Sequence, residues 1–214
     1  LGDVYKRQLM NRYTLGASVR MDGSDLFGVD KKYRFLPIYS VSGLYRISNE
    51  PFFKPATGWM DNLSLRLSYG LQGNIDKNTS PYLIGTYGTQ TILPNNTENS
   101  ISISSAPNDK LRWEKTASYN IGVDFSVLKS AINLSVDYYY RKGTDLIGVK
   151  NLPLENGFNG MTINWASMEN KGIEVNLQTR NITTRNFSWY TTFNFAYNYN
   201  TVSYTHLRAH ETRR

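Results

Sequence analysis

The chain has 214 residues, enough for one sizeable core, and joins 14% aromatic residues, 16 tyrosines among them, with 16 glycines and a mean hydropathy of −0.48. No apolar run is long enough for a transmembrane helix, and the absence of cysteine removes disulfide frameworks and thiolate zinc sites. Of the net charge of +7, residues 1–8 carry +1 and residues 204–214 carry +2, so the thinly spread interior offers no basic stripe for nucleic acid.

Residues 1–8, LGDVYKRQ, show neither the apolar core of a signal peptide nor a strand pattern. From Tyr13 a period of two takes over: Tyr13, Leu15, Ala17, Val19 and Met21 alternate with small or polar neighbours, which predicts a strand with one apolar face. A weaker strand follows on Tyr39, Val41, Tyr45 and Ile47. The third sets Leu63, Leu65, Leu67, Tyr69 and Leu71 against Ser64, Arg66, Ser68 and Gln72. The fourth carries Tyr119, Ile121, Val123, Phe125 and Val127, the fifth Ile132, Leu134, Val136, Tyr138 and Tyr140. GIEVNLQ supplies Ile173, Val175 and Leu177, and FSWYTTFNFAYNY supplies Phe187, Trp189, Phe193, Phe195, Tyr197 and Tyr199. Seven strands and no helix are predicted.

The connections come in two kinds. LKS and RNITTR are tight turns, the link around NEPFFKPATGWMD is intermediate, and long polar segments occupy 22–35, 74–110 and 148–167. Long structureless loops count against a compact soluble domain. Short turns at one rim and long loops at the other are the layout of a transmembrane barrel.

Charge placement agrees. The 25 apolar-face positions of the last five strands hold no Asp, Glu, Lys or Arg, where a charged share of 19% would place about five. The opposite face carries Arg66, Asp124, Asp137, Arg141 and Glu174. A soluble β-sandwich would also keep charge off its inner face, so the aromatic positions matter. On the last strand Trp189 and Tyr197 are separated by roughly 20 Å along the normal of a tilted strand, close to the spacing of two interfacial girdles.

LSLRLSYGLQGN at 63–74, LRWEKTASYNIGVDFSV at 111–127, INLSVDYYYRKGTDLI at 132–147 and NKGIEVNLQTRNITTRNFSWYTTFNF at 170–195 resemble the barrel of the SusC/RagA group of TonB-dependent outer-membrane transporters. RMDGSDLFGVDKKYRFLPIYSVSGLYRIS at 20–48 resembles it too. The resemblance implies an all-β, antiparallel transmembrane β-barrel, of which this chain is a fragment of about seven strands out of 22. It further implies outer-membrane lipid as surroundings, a SusD-like lipoprotein as lid, the TonB complex as driver, glycans or peptides as cargo, and no enzymatic activity or cofactor. The other class left open is a non-transporting β protein, either an outer-membrane adhesin or a soluble carbohydrate-binding β-sandwich.

Several constellations are read as structural. Asp22, Asp25 and Asp30 offer oxygen ligands without EF-hand spacing and read as a solvated loop. Asp124 and Asp137 share one face of neighbouring strands, as glycosidase carboxylates might, and read as polar lumen lining. Lys171 and Glu174 read as a loop-to-strand junction around Gly172; Gly85 and Gly88 lack the setting of a dinucleotide loop. Asn78 begins a glycosylation sequon, which means little in the bacterial source that the resemblance implies. For ligand contact the candidates are the aromatics Tyr82, Tyr87 and Trp165 of the predicted outer loops, whose rings could stack on sugars or simply pack the loops.

The ends break the pattern. Residues 1–8 and 204–214 resemble translated sequencing-adapter strings, which leaves 9–203 as the predicted barrel segment. His206 and His210 have the i, i+4 spacing of a helical metal site but no third ligand, so no metal site is expected.

Overall fold

The computed structural model describes residues 2–26, 33–56, 58–94, 96–158 and 160–204. Asp30, His206 and His210, weighed above as metal ligands, lie outside these.

Ten strands form: β1 (Gly2–Leu9), β2 (Tyr13–Gly23), β3 (Phe35–Arg46), β4 (Met60–Asn74), β5 (Ile84–Leu93), β6 (Asn96–Ser105), β7 (Glu114–Val127), β8 (Ile132–Asn151), β9 (Gly160–Thr183) and β10 (Ser188–Tyr204). Eight make one antiparallel sheet in the order β1-β2-β3-β4-β7-β8-β9-β10, a meander from which the β5–β6 hairpin stands apart as a second sheet. All seven predicted strands are present, and β1, β5 and β6 are additional.

Two segments expected as loops are strand. The polar run 74–110 holds the β5–β6 hairpin, and 148–167 is mostly the continuation of β8 to Asn151 and of β9 from Gly160. Glycine, asparagine and proline in these stretches suggest loops, yet β8 and β9 stay paired with each other as far as Asn151 and Gly160 through backbone bonds that do not depend on side-chain polarity. The hairpin rises about 35 Å along the strand beyond Tyr140.

Register decides which residues share a face. The row Leu65, Val123, Val136, Val175, Phe195 crosses β4, β7, β8, β9 and β10, flanked by Leu63, Phe125, Leu134, Leu177, Phe193 and by Leu67, Ile121, Tyr138, Ile173, Tyr197. This face is apolar and open: Leu67 is 47% exposed, Phe193 55% and Phe195 49%. No second layer covers it among the described residues, as a closed sandwich would require. β1 pairs with β2 over its whole length, but its register turns Asp3 and Arg7 to this same side, beside Val19 and Leu15. Backbone pairing is available to any segment beside an open edge; the charge-free face begins at β2.

The short-turn rim is held by polar contacts. Leu128, Lys129 and Ser130 all adopt left-handed φ near +57°, and the exposed N–H of Ser130 donates to Asp61 Oδ2 at 2.8 Å. Asp61 is the bulged residue between Met60 and Asn62, which is how a strand residue comes to aim at a turn. Nearby, the buried Glu50 accepts from the Tyr13 hydroxyl at 2.6 Å and pairs with Arg12 at 3.2 Å, beneath the stacked rings of Tyr13 and Tyr45.

Candidate functional site

The inward face of β4 to β10 is mostly polar, and its centre is an ionic crossing. Arg66 on β4 donates from Nε to Asp124 Oδ2 at 2.8 Å and from Nη2 to Asp124 Oδ1, Ser135 Oγ and Asp137 Oδ2 at 3.0–3.1 Å. Its side chain therefore crosses β7 to reach β8. The crossing needs Gly122: a Cβ there would lie 2.3 Å from Asp137 Oδ1 and 2.8 Å from Arg66 Cζ. A second crossing repeats the device, since Tyr139 on β8 reaches over Gly172 on β9 and donates its hydroxyl to Asn198 on β10. Amide pairs Asn176–Asn194 and Asn170–Asn200, and the Asn120–Ser68 contact at 3.1 Å, extend the lining.

Asp124 and Asp137, predicted to share a face, are thus brought together by one arginine and one serine. Both oxygens of Asp124 and the Oδ2 of Asp137 accept from Arg66 and Ser135, which ties the two carboxylates into the polar wall. Glu174 continues the row on β9, opposite Asp137. Among the described residues, Asp22 is engaged by Arg20 at 2.8 Å.

At the loop-side rim a small core anchors the segment entering β7. Leu111 is fully buried against Leu36 and Trp113, with Ile38, Ile75 and Ile147 around them. Gly73 on β4 makes the space, because a Cβ there would meet Leu36 Cδ2 at 2.3 Å. Asn164 of β9 clamps the same segment, accepting from the Arg112 N–H at 2.9 Å and donating to the Arg112 and Asp145 carbonyls. The Asp145 carboxylate, 2.7 Å away, holds the Arg112 guanidinium above its ordinary pKa. In the next loop, donation from Thr79 Oγ1 and the Asn78 N–H lowers that of Asp76. Truncating Leu111→Ala is expected to cost about 2–5 kcal/mol locally. In limited proteolysis of the full-length receptor, cleavage within 75–110 should accelerate at least tenfold while the barrel's melting is unchanged; an unchanged cleavage rate would rule this out.

The loop aromatics separate. Tyr82 lies just before β5 and Tyr87 within it, both exposed, Tyr87 at 84%. Trp165 is not in a loop: it is the bulged residue of β9 between Asn164 and Ala166, and its indole nitrogen lies 2.8 Å from where a Cβ on Gly148 would stand. Sequence reasoning missed Gly122, Gly73 and the rim core, which depend on register; only LRWE, an apolar pair ending a polar segment, hinted at an anchor.

An open apolar band on one face, an ionic and amide wall on the other, and a loop-side tyrosine row define the wall of a transmembrane β-barrel. In that row Tyr39, Tyr69, Tyr119 and Tyr140 follow one another at 5.9, 4.6 and 6.1 Å between ring centroids. The chain belongs to the family described as TonB dependent receptor-like, beta-barrel, whose family model matches residues 6–213. It is 35% identical over 192 residues to TonB-dependent receptor P39 of Formosa agariphila, and 33% over 201 residues to TonB-dependent receptor SusC of Bacteroides thetaiotaomicron. These alignments cover 90% and 91% of this chain but 18% and 20% of the relatives, so the chain spans about a fifth of their length. Among solved structures, the RagAB peptide importer in its open-open state superposes with a TM-score of 0.82 at 27% identity, over 97% of this chain and 22% of that one. The siderophore receptor PirA of Pseudomonas aeruginosa, at 13% identity and a TM-score of 0.57 over 94% of this chain and 35% of that one, shares the fold.

Proposed function

We propose that this segment forms part of the outer-membrane wall of an energy-coupled importer for glycans or peptides, working with a SusD-like lipoprotein and the TonB complex. The observation that carries the reading is the division of the sheet: lipid-compatible apolar rows outward, and hydrogen-bonding groups suited to oligomeric polar cargo inward. Likeness to the RagAB peptide importer supports the peptide class, and exposed aromatic faces suited to stacking on sugar rings support the glycan class. Tyr82 and Tyr87, exposed on the β5–β6 arm, would stack on passing sugar rings or meet the lid, while Trp165 packs over Gly148 in the wall.

Uptake of fluorescent oligosaccharides and oligopeptides by cells carrying the full-length receptor tests the reading. Accumulation of one of the two that stops on loss of TonB is expected, and Tyr82→Ala with Tyr87→Ala should lower it severalfold. Uptake of neither, or uptake indifferent to TonB, would overturn the importer assignment.

A further inference from the structure

The apolar face of β2 to β10 is free of charge up to the tyrosine row and then changes abruptly. Lys171 on β9 stands in that row itself, opposite Tyr140 on β8 and Tyr199 on β10. Lys142 on β8 is one outward position further toward the loops, opposite Glu169, and Lys115 on β7 is one further again, opposite Thr144. Each lysine is the diagonal neighbour of the next, about 7–8 Å apart. The three make an oblique strip on the outer surface, at the loop-side edge of the band read here as lipid-facing.

Their partners leave the strip cationic. Lys142 pairs with Glu169 at 2.9 Å, and Lys115 with Asp145 at 3.3 Å, an oxygen pair shared with Arg112. The Lys171 ammonium lies 5.3 Å above the Tyr199 ring. Four cations against two carboxylates leave an excess of +2. A lysine on the lipid face is costly at the bilayer midplane and nearly free at the interface, so this location marks the headgroup level. There the four-carbon stem can lie along apolar surface while the ammonium meets phosphate.

We propose that Lys115, Lys142 and Lys171 bind the phosphate groups of a phosphorylated lipid in the leaflet at the loop-side rim, holding an annular lipid against β7, β8 and β9. The proposal rests on the membrane reading above. The full-length receptor, purified in neutral detergent, is titrated by native mass spectrometry with phosphorylated lipid A, with its dephosphorylated form and with inorganic phosphate alone. The phosphorylated lipid should bind most tightly, more weakly at high salt, and the variant Lys115→Gln/Lys142→Gln/Lys171→Gln should lose at least tenfold in affinity. A control with equal charge removed from exposed turns and loops, Lys77→Gln/Lys110→Gln/Lys129→Gln, should bind as the parent does. Equal binding of the dephosphorylated lipid, binding of inorganic phosphate as tight as that of the lipid, or equal loss in both variants would overturn the strip. If the receptor is absent from the outer-membrane fraction and its folded band does not shift on heating, the membrane reading fails as well; retained folding and location with no effect of the triple variant refutes the strip alone.

Discussion

Phe193→Lys in the full-length receptor is expected to reduce the folded, membrane-inserted fraction by tenfold or more, whereas Thr192→Lys, the adjacent residue, is expected to leave it unchanged. Phe193 sits midway between Trp189 and Tyr197 on β10, 55% exposed on the apolar face and in register with Leu177. A lysine at midplane depth on the lipid side costs about 2–4 kcal/mol. Thr192 lies opposite Gln178 on the inward face, where a lysine remains in water and the change falls within about 0.5 kcal/mol. Phe193→Ala separates the lost ring from the added charge and should be intermediate. The readout is the heat-modifiable band of the folded barrel in isolated outer membranes. Equal effects of the two lysines would mean that the two faces of this sheet do not differ in solvent, and the barrel reading would go with it.

The same division was legible in the sequence because a strand's side-chain period is fixed at two, so Leu63 to Leu71 or Ile132 to Tyr140 declare their face without any knowledge of neighbours. What sits beside what was not legible. Nothing local tells that Arg66 will lie across from Gly122 and reach Asp137, 71 residues on, because that depends on the pairing of β4 with β7 past an inserted hairpin. The continuation of β8 and β9 was hidden for a different reason. Above the lipid both faces of a strand meet water or protein, so the alternation that reveals a spanning strand fades while the backbone ladder persists. The sequence around Trp165 reads as loop on that account, and the bulge that turns it toward Gly148 has no sequence mark. The lysine strip shows the converse. Lys171 reads in the sequence as part of a loop-to-strand junction, and only register sets it on the outward face in the tyrosine row, with Lys142 one outward position beyond.

The ionic crossing yields the second large expectation. In an open strand position, Gly→Ala normally gains about 0.5–1 kcal/mol through restricted backbone freedom and better strand propensity. At Gly122 the sign should reverse. The added Cβ would stand 2.3 Å from Asp137 Oδ1 and 2.8 Å from Arg66 Cζ and Nη2, and both side chains can escape only by swinging away from β7, which gives up the bonds of Arg66 to Ser135 and Asp137. Two carboxylates on adjacent strands would then face one another with their shared cation displaced. Removing one partner of a fully buried ion pair costs about 3–5 kcal/mol; here the side chains are a third to two-fifths exposed, so about 2 kcal/mol is expected. Urea unfolding of the full-length receptor in detergent measures it. The decisive comparison is a cycle with the double variant Arg66→Ala/Asp137→Ala. If Gly122 matters only as the floor under Arg66 and Asp137, then Gly122→Ala added to that double variant should cost nothing further and recover the ordinary gain of alanine over glycine. Additive losses would show instead that Gly122 serves the strand itself, and the crossing would cease to explain why glycine stands there.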